Sequence, residues 1–209
     1  MKGYNRMNLI LATDNTDKIK EFLDLTDDTE FKLVGMRAAG FSGDIIEDGL
    51  TYEANALIKA RAVHRQLGGW VIADDSGLSV DVLDGAPGIY SARFAGESAT
   101  YPDKIAQLHA WLKPYPPDTW TAAFICAIAV IDPEGHESTV RGECRGRIAP
   151  QALGSNGFGY DPIFFVPEYG MTMAELDPAL KNQISHRARA MAAATHLLPH
   201  HHPTTIQIG

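Results

Sequence analysis

Two adjacent carboxylates, Asp74 and Asp75, stand between the apolar run at residues 70–73 and the pair Ser76-Gly77. Neighbouring carboxylates repel each other and lose hydration when enclosed, so a metal ion or a Lys/Arg cluster is expected opposite them. The apolar run reads as a buried strand that ends at a cleft, with Ser-Gly as the turn beyond it. Asp-Asp-Ser-Gly is also sound turn chemistry, through Asx hydrogen bonds and a permissive glycine, and the segment alone leaves both readings open.

Three further stretches carry residues of matching chemistry. Thr13, Asp14, Asn15, Thr16, Asp17 and Lys18 form a loop between a short strand and a helix. Free amide N–H groups at such a helix start, with Thr13, Asn15 and Lys18 beside them, can cradle phosphate oxygens, although Asp14 and Asp17 oppose an anion. An ordinary capped helix explains the same residues. Glu47 and Asp48 precede a second helix, where they suit the helix dipole, and Glu47 becomes a metal ligand only if Asp74 or Asp75 is near. Late in the chain Lys181, His186 and Arg187 fall within seven residues, which suits phosphate or base-edge contacts or a solvated basic face. Between these, the glycine-rich 154–162 segment holds Phe158, Gly159, Tyr160 and Asp161, and Phe158 is placed to stack on a nucleobase or to pin a turn.

The elements that must position these groups follow from periodicity. Strands are expected at 8–12, 31–35, 70–75 and 78–83, with a long antiparallel hairpin of 120–131 and 137–147 whose first arm is buried on both faces. Helices are expected after Lys18 with Ile19, Phe22 and Leu23 inward, at 51–67, at 102–112, and through 177–198 up to Pro199. Asn55 and Lys59 share a face of the second helix apart from its core stripe. The pattern is a single α/β domain, a mixed sheet covered by helices, with residues 1–7 and 199–209 expected to be flexible. The tail that holds His200, His201 and His202 cannot turn three consecutive side chains onto one ion in regular structure.

Composition excludes other classes. A net charge of −8 over 209 residues argues against nonspecific binding of nucleic acid or a membrane surface. Cys126 and Cys144 lack metal-ligand spacing and read as reduced core residues, and neither a membrane span nor a signal peptide is evident, so a cytoplasmic protein is expected.

Six pieces of this sequence, in order, resemble the inosine/xanthosine triphosphate pyrophosphatase family, hydrolases of noncanonical purine nucleotides. They are LAT-x-N-x-x-K at 11–18, E-x-G-x-T-x-x-x-N-A-x-x-K-A at 47–60, ADDSGL-x-VD at 73–81, GAPGIYSAR at 85–93, GFGYDPIF at 157–164 and K-x-x-x-SHR ending at Arg187. The resemblance implies a homodimer of elongated mixed sheets, with the active site in a cleft between two lobes. It implies that the 13–18 loop with Lys18 holds a triphosphate, that Glu47 and Asp75 serve Mg²⁺, and that Asp75 accepts the proton. Asp74 remains a possible metal ligand. Ser76 would touch substrate, while Phe158, Gly159, Tyr160, Asp161, Lys181, His186 and Arg187 would line the nucleotide pocket. Asp14 and Asp17 depart from the glycines usual at those positions. The implied reaction releases pyrophosphate from ITP, dITP or XTP; the rivals are a related pyrophosphatase for modified pyrimidine or methylated nucleotides, and a nucleotide-binding protein without turnover.

Overall fold

The computed structural model describes residues 7–26, 30–96 and 98–199. The expected flexible tails, with the three consecutive histidines, lie outside the described residues, apart from Met7, which opens the first strand, and Pro199.

A seven-stranded mixed sheet runs through the molecule. Its members are β1 (Met7–Leu11), β2 (Phe31–Gly35), β3 (Trp70–Val80), β4 (Thr121–Ile131), β5 (Glu137–Ile148), β6 (Phe164–Val166) and β7 (Met171–Thr172), in the order β2-β1-β3-β4-β5-β6-β7. β1 lies parallel to β2 and β3, and every later pairing is antiparallel. Among the described residues five helices cover it: α1 (Thr16–Thr26), α2 (Tyr52–Leu67), α3 (Tyr101–Leu112), α4 (Pro178–Ile184) and α5 (His186–Thr195). β4 is buried at every residue after Thr121, because helices cover both of its faces, which is why its sequence is apolar without alternation.

Two cores share the long strands. At one end, Leu9, Leu11, Phe22, Ile72, Ile128 and Met191 pack under α1 and α5, while Ala56, Ala60, Val63, Val71 and Ala73 pack under α2 on the opposite sheet face. At the other end Leu78, Val80, Leu108, Leu112, Phe124 and Phe164 form a second core with α3. β3 and β4 pass from one lobe to the other, and the cleft opens where they do.

Three expectations are corrected. β3 does not stop at Asp75; it continues through Ser76 and Gly77, because the opposite strand stays in register from Val71 to Val80. Leu23 does not face the core but is 47% exposed, since α1 buries Phe22 and leaves the adjacent position outside. The last helix is two helices: Ser185 adopts an extended backbone and its Oγ accepts from the Ala188 amide at 3.1 Å, so it ends α4 and caps α5. A Cβ on Gly142 would stand 2.2 Å from the His186 carbonyl oxygen and 2.3 Å from the Ala190 nitrogen. Only glycine there lets α5 sit directly on β5, with its first turn at the cleft.

Candidate active site

The cleft lies along the edge of β3. β1 pairs with β3 only over Trp70, Val71 and Ile72, and after Leu11 the chain turns away. From Asp74 to Gly77, β3 therefore keeps β4 as its strand partner and leaves its other edge to the cleft. The cavity is about 400 Å³, and six cationic and six anionic side chains line it.

The pleat separates the two adjacent aspartates. Successive side chains on a strand point to opposite faces. Asp75 turns toward α2, where its Oδ2 accepts from Asn55 Nδ2 at 3.0 Å and its Oδ1 lies 3.8 Å from Lys59 Nζ. Asp74 turns toward α1 and α5, fully enclosed, with Lys18 Nζ 2.9 Å and Arg187 Nη2 3.8 Å from its Oδ2. The cations expected opposite this pair are thus Lys59 for one carboxylate and Lys18 with Arg187 for the other.

Their acidities diverge accordingly. Burial pushes both upward, but Lys18, Arg187 and Lys59 overcome it at Asp74 and hold that carboxyl well below the usual range. At Asp75 burial outweighs Lys59, Lys18 and the Asn55 hydrogen bond, so its carboxyl is raised and more basic than its neighbour.

Lys59 also meets Glu47 Oε2 at 2.6 Å, so Glu47 and Asp75 converge on one buried ammonium. Burial opposes that charge, and the surrounding carboxylates overcome it, raising the Lys59 pKa. Hard carboxylate oxygens that converge on one cation are the donor set Mg²⁺ takes, so these two residues fit that ion. A separate trio, Asp132, Glu134 and His136, is close enough to share an ion but sits on the exposed β4–β5 connection, outside the cleft wall.

The opposite wall gathers the basic residues. Lys181 Nζ lies 2.5 Å from Glu21 Oε1 and 2.6 Å from Asp161 Oδ2, and Arg187 pairs with the other Glu21 oxygen and donates to Ser76 Oγ at 3.0 Å. Phe158 sits over both, its ring centroid 5.4 Å from Lys181 Nζ and 5.6 Å from the Arg187 guanidinium carbon. Its amide donates to Asp161 Oδ2 at 2.9 Å. Gly157 is required beside them, since a Cβ there would stand 2.1 Å from that same Asp161 oxygen.

His186 is stacked on Phe124, ring centroids 4.8 Å apart. Burial, reinforced by Arg187, Lys181 and Lys18 and only partly offset by Asp74, lowers its pKa well below the ordinary imidazole value. It is therefore neutral at pH 7. An unfolded histidine gains a proton below its pKa and the folded one does not, so folding stability is lost as the pH falls through the unfolded value. Between pH 7 and pH 5 the wild type is expected to lose stability that His186→Phe retains, read from urea unfolding at both pH values.

Thr13, Asp14, Asn15, Lys18, Glu47, Asp75, Ser76, Phe158, Gly159, Tyr160, Asp161, Lys181, His186 and Arg187 all line the cleft. Thr16, Asp17 and Asp74 do not: Thr16 and Asp17 open α1 with exposed side chains, and Asp74 lies beneath the floor. Asn15 Oδ1 accepts from the Asp17 and Lys18 amides at 3.0 and 3.1 Å, so the capped-helix reading of this loop is also realised. Sequence reasoning assigned no role to Glu21, Arg37 or Arg93, all on the cleft wall, and it noted Lys59 only as sharing a helix face with Asn55.

The family model described as the Ham1 family matches residues 9–197. The chain belongs to the Ham1 family. A curated relative from Desulforamulus reducens, named dITP/XTP pyrophosphatase, is 46% identical over 193 residues, covering 92% of this chain and 96% of its own. One of the same name from Bacillus subtilis is 44% identical over 189 residues, covering 90% and 96%. Among solved structures, a HAM1 protein from Coxiella burnetii superposes with a TM-score of 0.83 at 38% identity, covering 91% of this chain and 98% of that one. A nucleoside-triphosphatase / dITP/XTP pyrophosphatase from Mycobacterium abscessus gives a TM-score of 0.74 at 41% identity, covering 93% and 100%. These likenesses extend over the whole Ham1 fold. Among the described residues no helix is long and apolar enough to cross a membrane, and Cys126 and Cys144 are free and buried.

Proposed function

We propose that the protein is a nucleoside triphosphate pyrophosphatase that converts ITP, dITP and XTP to the monophosphate and pyrophosphate. The observation that carries this reading is one cleft in which a basic-leaning carboxylate, Asp75, stands with Glu47 and Lys59 in the same lining as Lys18, Lys181 and Arg187, with the Phe158 ring against Lys181 and Arg187. The names of the relatives point the same way.

Asp75 takes the proton from the attacking water as it meets the α-phosphorus, and the bond to the bridging oxygen of pyrophosphate breaks. Its raised pKa suits that role, and Asn55 fixes the carboxylate plane. Glu47 and Asp75 would hold Mg²⁺, which when bound supplies positive charge to the phosphate oxygens. Asp74, enclosed under the floor, holds Lys18 and Arg187 in position and reaches no ligand. Lys18, with Thr13 and Asn15 beside it on the cleft wall, meets the phosphate charge, because a triphosphate needs local cations and donors.

Phe158 stacks on the base. Donors on the cleft wall, Arg187 among them, would meet a purine 6-carbonyl and would be left unpaired by the adenine 6-amino group. Phe158→Ala is expected to raise KM for ITP roughly tenfold through lost stacking, with a smaller change in kcat. The reading also takes in a homodimer acting in the cytoplasm.

The direct test is pyrophosphate release from ITP, XTP, GTP and ATP with Mg²⁺ and with EDTA. Fast release from ITP and XTP, abolished by EDTA, is expected. Equal rates on ATP would contradict the 6-carbonyl argument, and activity confined to modified pyrimidine or methylated nucleotides would favour the related house-cleaning enzymes. Tight ITP binding without turnover would make the protein a nucleotide binder.

A further inference from the structure

Asp14 stands in the loop that the proposed function gives to the triphosphate, where a carboxylate should repel the ligand. Its charge is taken up by Arg37, whose Nε donates to Asp14 Oδ1 at 2.9 Å and whose Nη2 donates to Oδ2 at 2.7 Å. The rest of the guanidinium is held from behind. Nη1 donates to the Gly43 carbonyl at 2.9 Å and lies 3.4 Å from the Phe41 carbonyl, and the guanidinium carbon is 5.3 Å from the Phe41 ring centroid. The 36–43 segment thus orients one edge of Arg37, the Nε–Nη2 edge, toward the phosphate loop. Arg37 and Asp14 both line the cleft, and their side chains are 44% and 53% exposed, so their ion pair is a weak one that a competing anion can open.

A phosphate presents two oxygens to that edge in the same bidentate geometry as a carboxylate, with more charge. We propose that Arg37 is a phosphate-binding residue of this cleft, held in place by Asp14 until the outer phosphate of the ligand displaces the carboxylate. The assignment rests on the reading of the cleft as a nucleoside triphosphate site. Asp14, already half in water, turns outward with little loss of hydration, and Arg37 gains the ligand without leaving its seat on Phe41 and Gly43. The two residues then act on anion affinity with opposite sign: Arg37 attracts the phosphate, and Asp14 competes with it.

The sign is what an experiment reads. Binding of inorganic triphosphate with Mg²⁺ is measured by calorimetry for the full-length wild type, Arg37→Gln, Arg37→Lys and Asp14→Asn, with a melting temperature for each and ITP turnover for the wild type. Arg37→Gln is expected to weaken binding about tenfold, Arg37→Lys to recover part of the loss, and Asp14→Asn to tighten binding. A pair that merely ties two loops together would weaken binding in both Arg37→Gln and Asp14→Asn, and that result overturns the proposal. An unchanged affinity in Arg37→Gln, or no binding by the wild type, overturns it as well. Opposite signs in a wild type that releases no pyrophosphate from ITP would keep Arg37 as a phosphate ligand and remove the proposed function.

Discussion

Asp75→Asn is expected to lower kcat for ITP at least about a thousandfold while leaving the fold intact. The amide keeps the shape of the side chain and the contact to Asn55, but it can neither accept the water's proton nor offer a charged oxygen beside Lys59. Lys59 retains Glu47, so its buried charge is not stranded. Burial already disfavours the ionised form of Asp75, and removing that charge should cost little stability. Steady-state kinetics with a urea unfolding curve for each protein measures both halves. Residual activity within tenfold of wild type would place the base elsewhere in the cleft.

Asp74→Ala is expected to do the reverse in its first effect, lowering unfolding free energy by about 3–5 kcal/mol at pH 7. Its carboxylate has no exposure, and it faces Lys18 and Arg187, both drawn to it through the interior. Without it Lys18 loses the carboxylate 2.9 Å away, and Arg187, itself buried, keeps Glu21 as its carboxylate and the Ser76 hydroxyl as a neutral partner. Activity falls too, because Lys18 and Arg187 are no longer held on the cleft wall, but it falls through position rather than through loss of the proton acceptor. A variant as stable as wild type would show that the buried charge cluster is held by something other than Asp74. Adjacent residues with separate consequences, one for chemistry and one for stability, are what the strand pleat predicts.

Much of this arrangement was legible in the chain. The hairpin of β4 and β5 and the α2 core stripe follow from patterns short enough to read locally, whereas the conjunction of Asp75, Glu47, Lys18, Lys181 and Arg187 was implied only by the family resemblance. The extent of β3 did not follow, because Ser76-Gly77 looks like a turn when only its neighbours are considered. The reason for glycine there lies elsewhere in the chain: a Cβ on Gly77 would stand 2.3 Å from the Gly88 carbonyl oxygen, so the residue serves close packing rather than a turn. The expected strand already held Asp74 and Asp75, so their opposed directions follow from its pleat, but the helices that lie on each face do not. The pairings of Lys181 with Glu21 and of Arg37 with Asp14 join distant segments, and no local spacing announces them. The break at Ser185 was masked by apolar spacing that continues across it, although the Ser-x-x-Ala cap was present in the sequence.

The most direct measurement is ITP hydrolysis in ¹⁸O-labelled water, with the products separated and weighed by mass spectrometry. Attack of the Asp75-activated water on the α-phosphorus predicts inosine monophosphate and pyrophosphate in equal amounts, with the label in the monophosphate. Label in pyrophosphate, or inosine diphosphate and inorganic phosphate as products, would place the attack on another phosphorus and contradict the account.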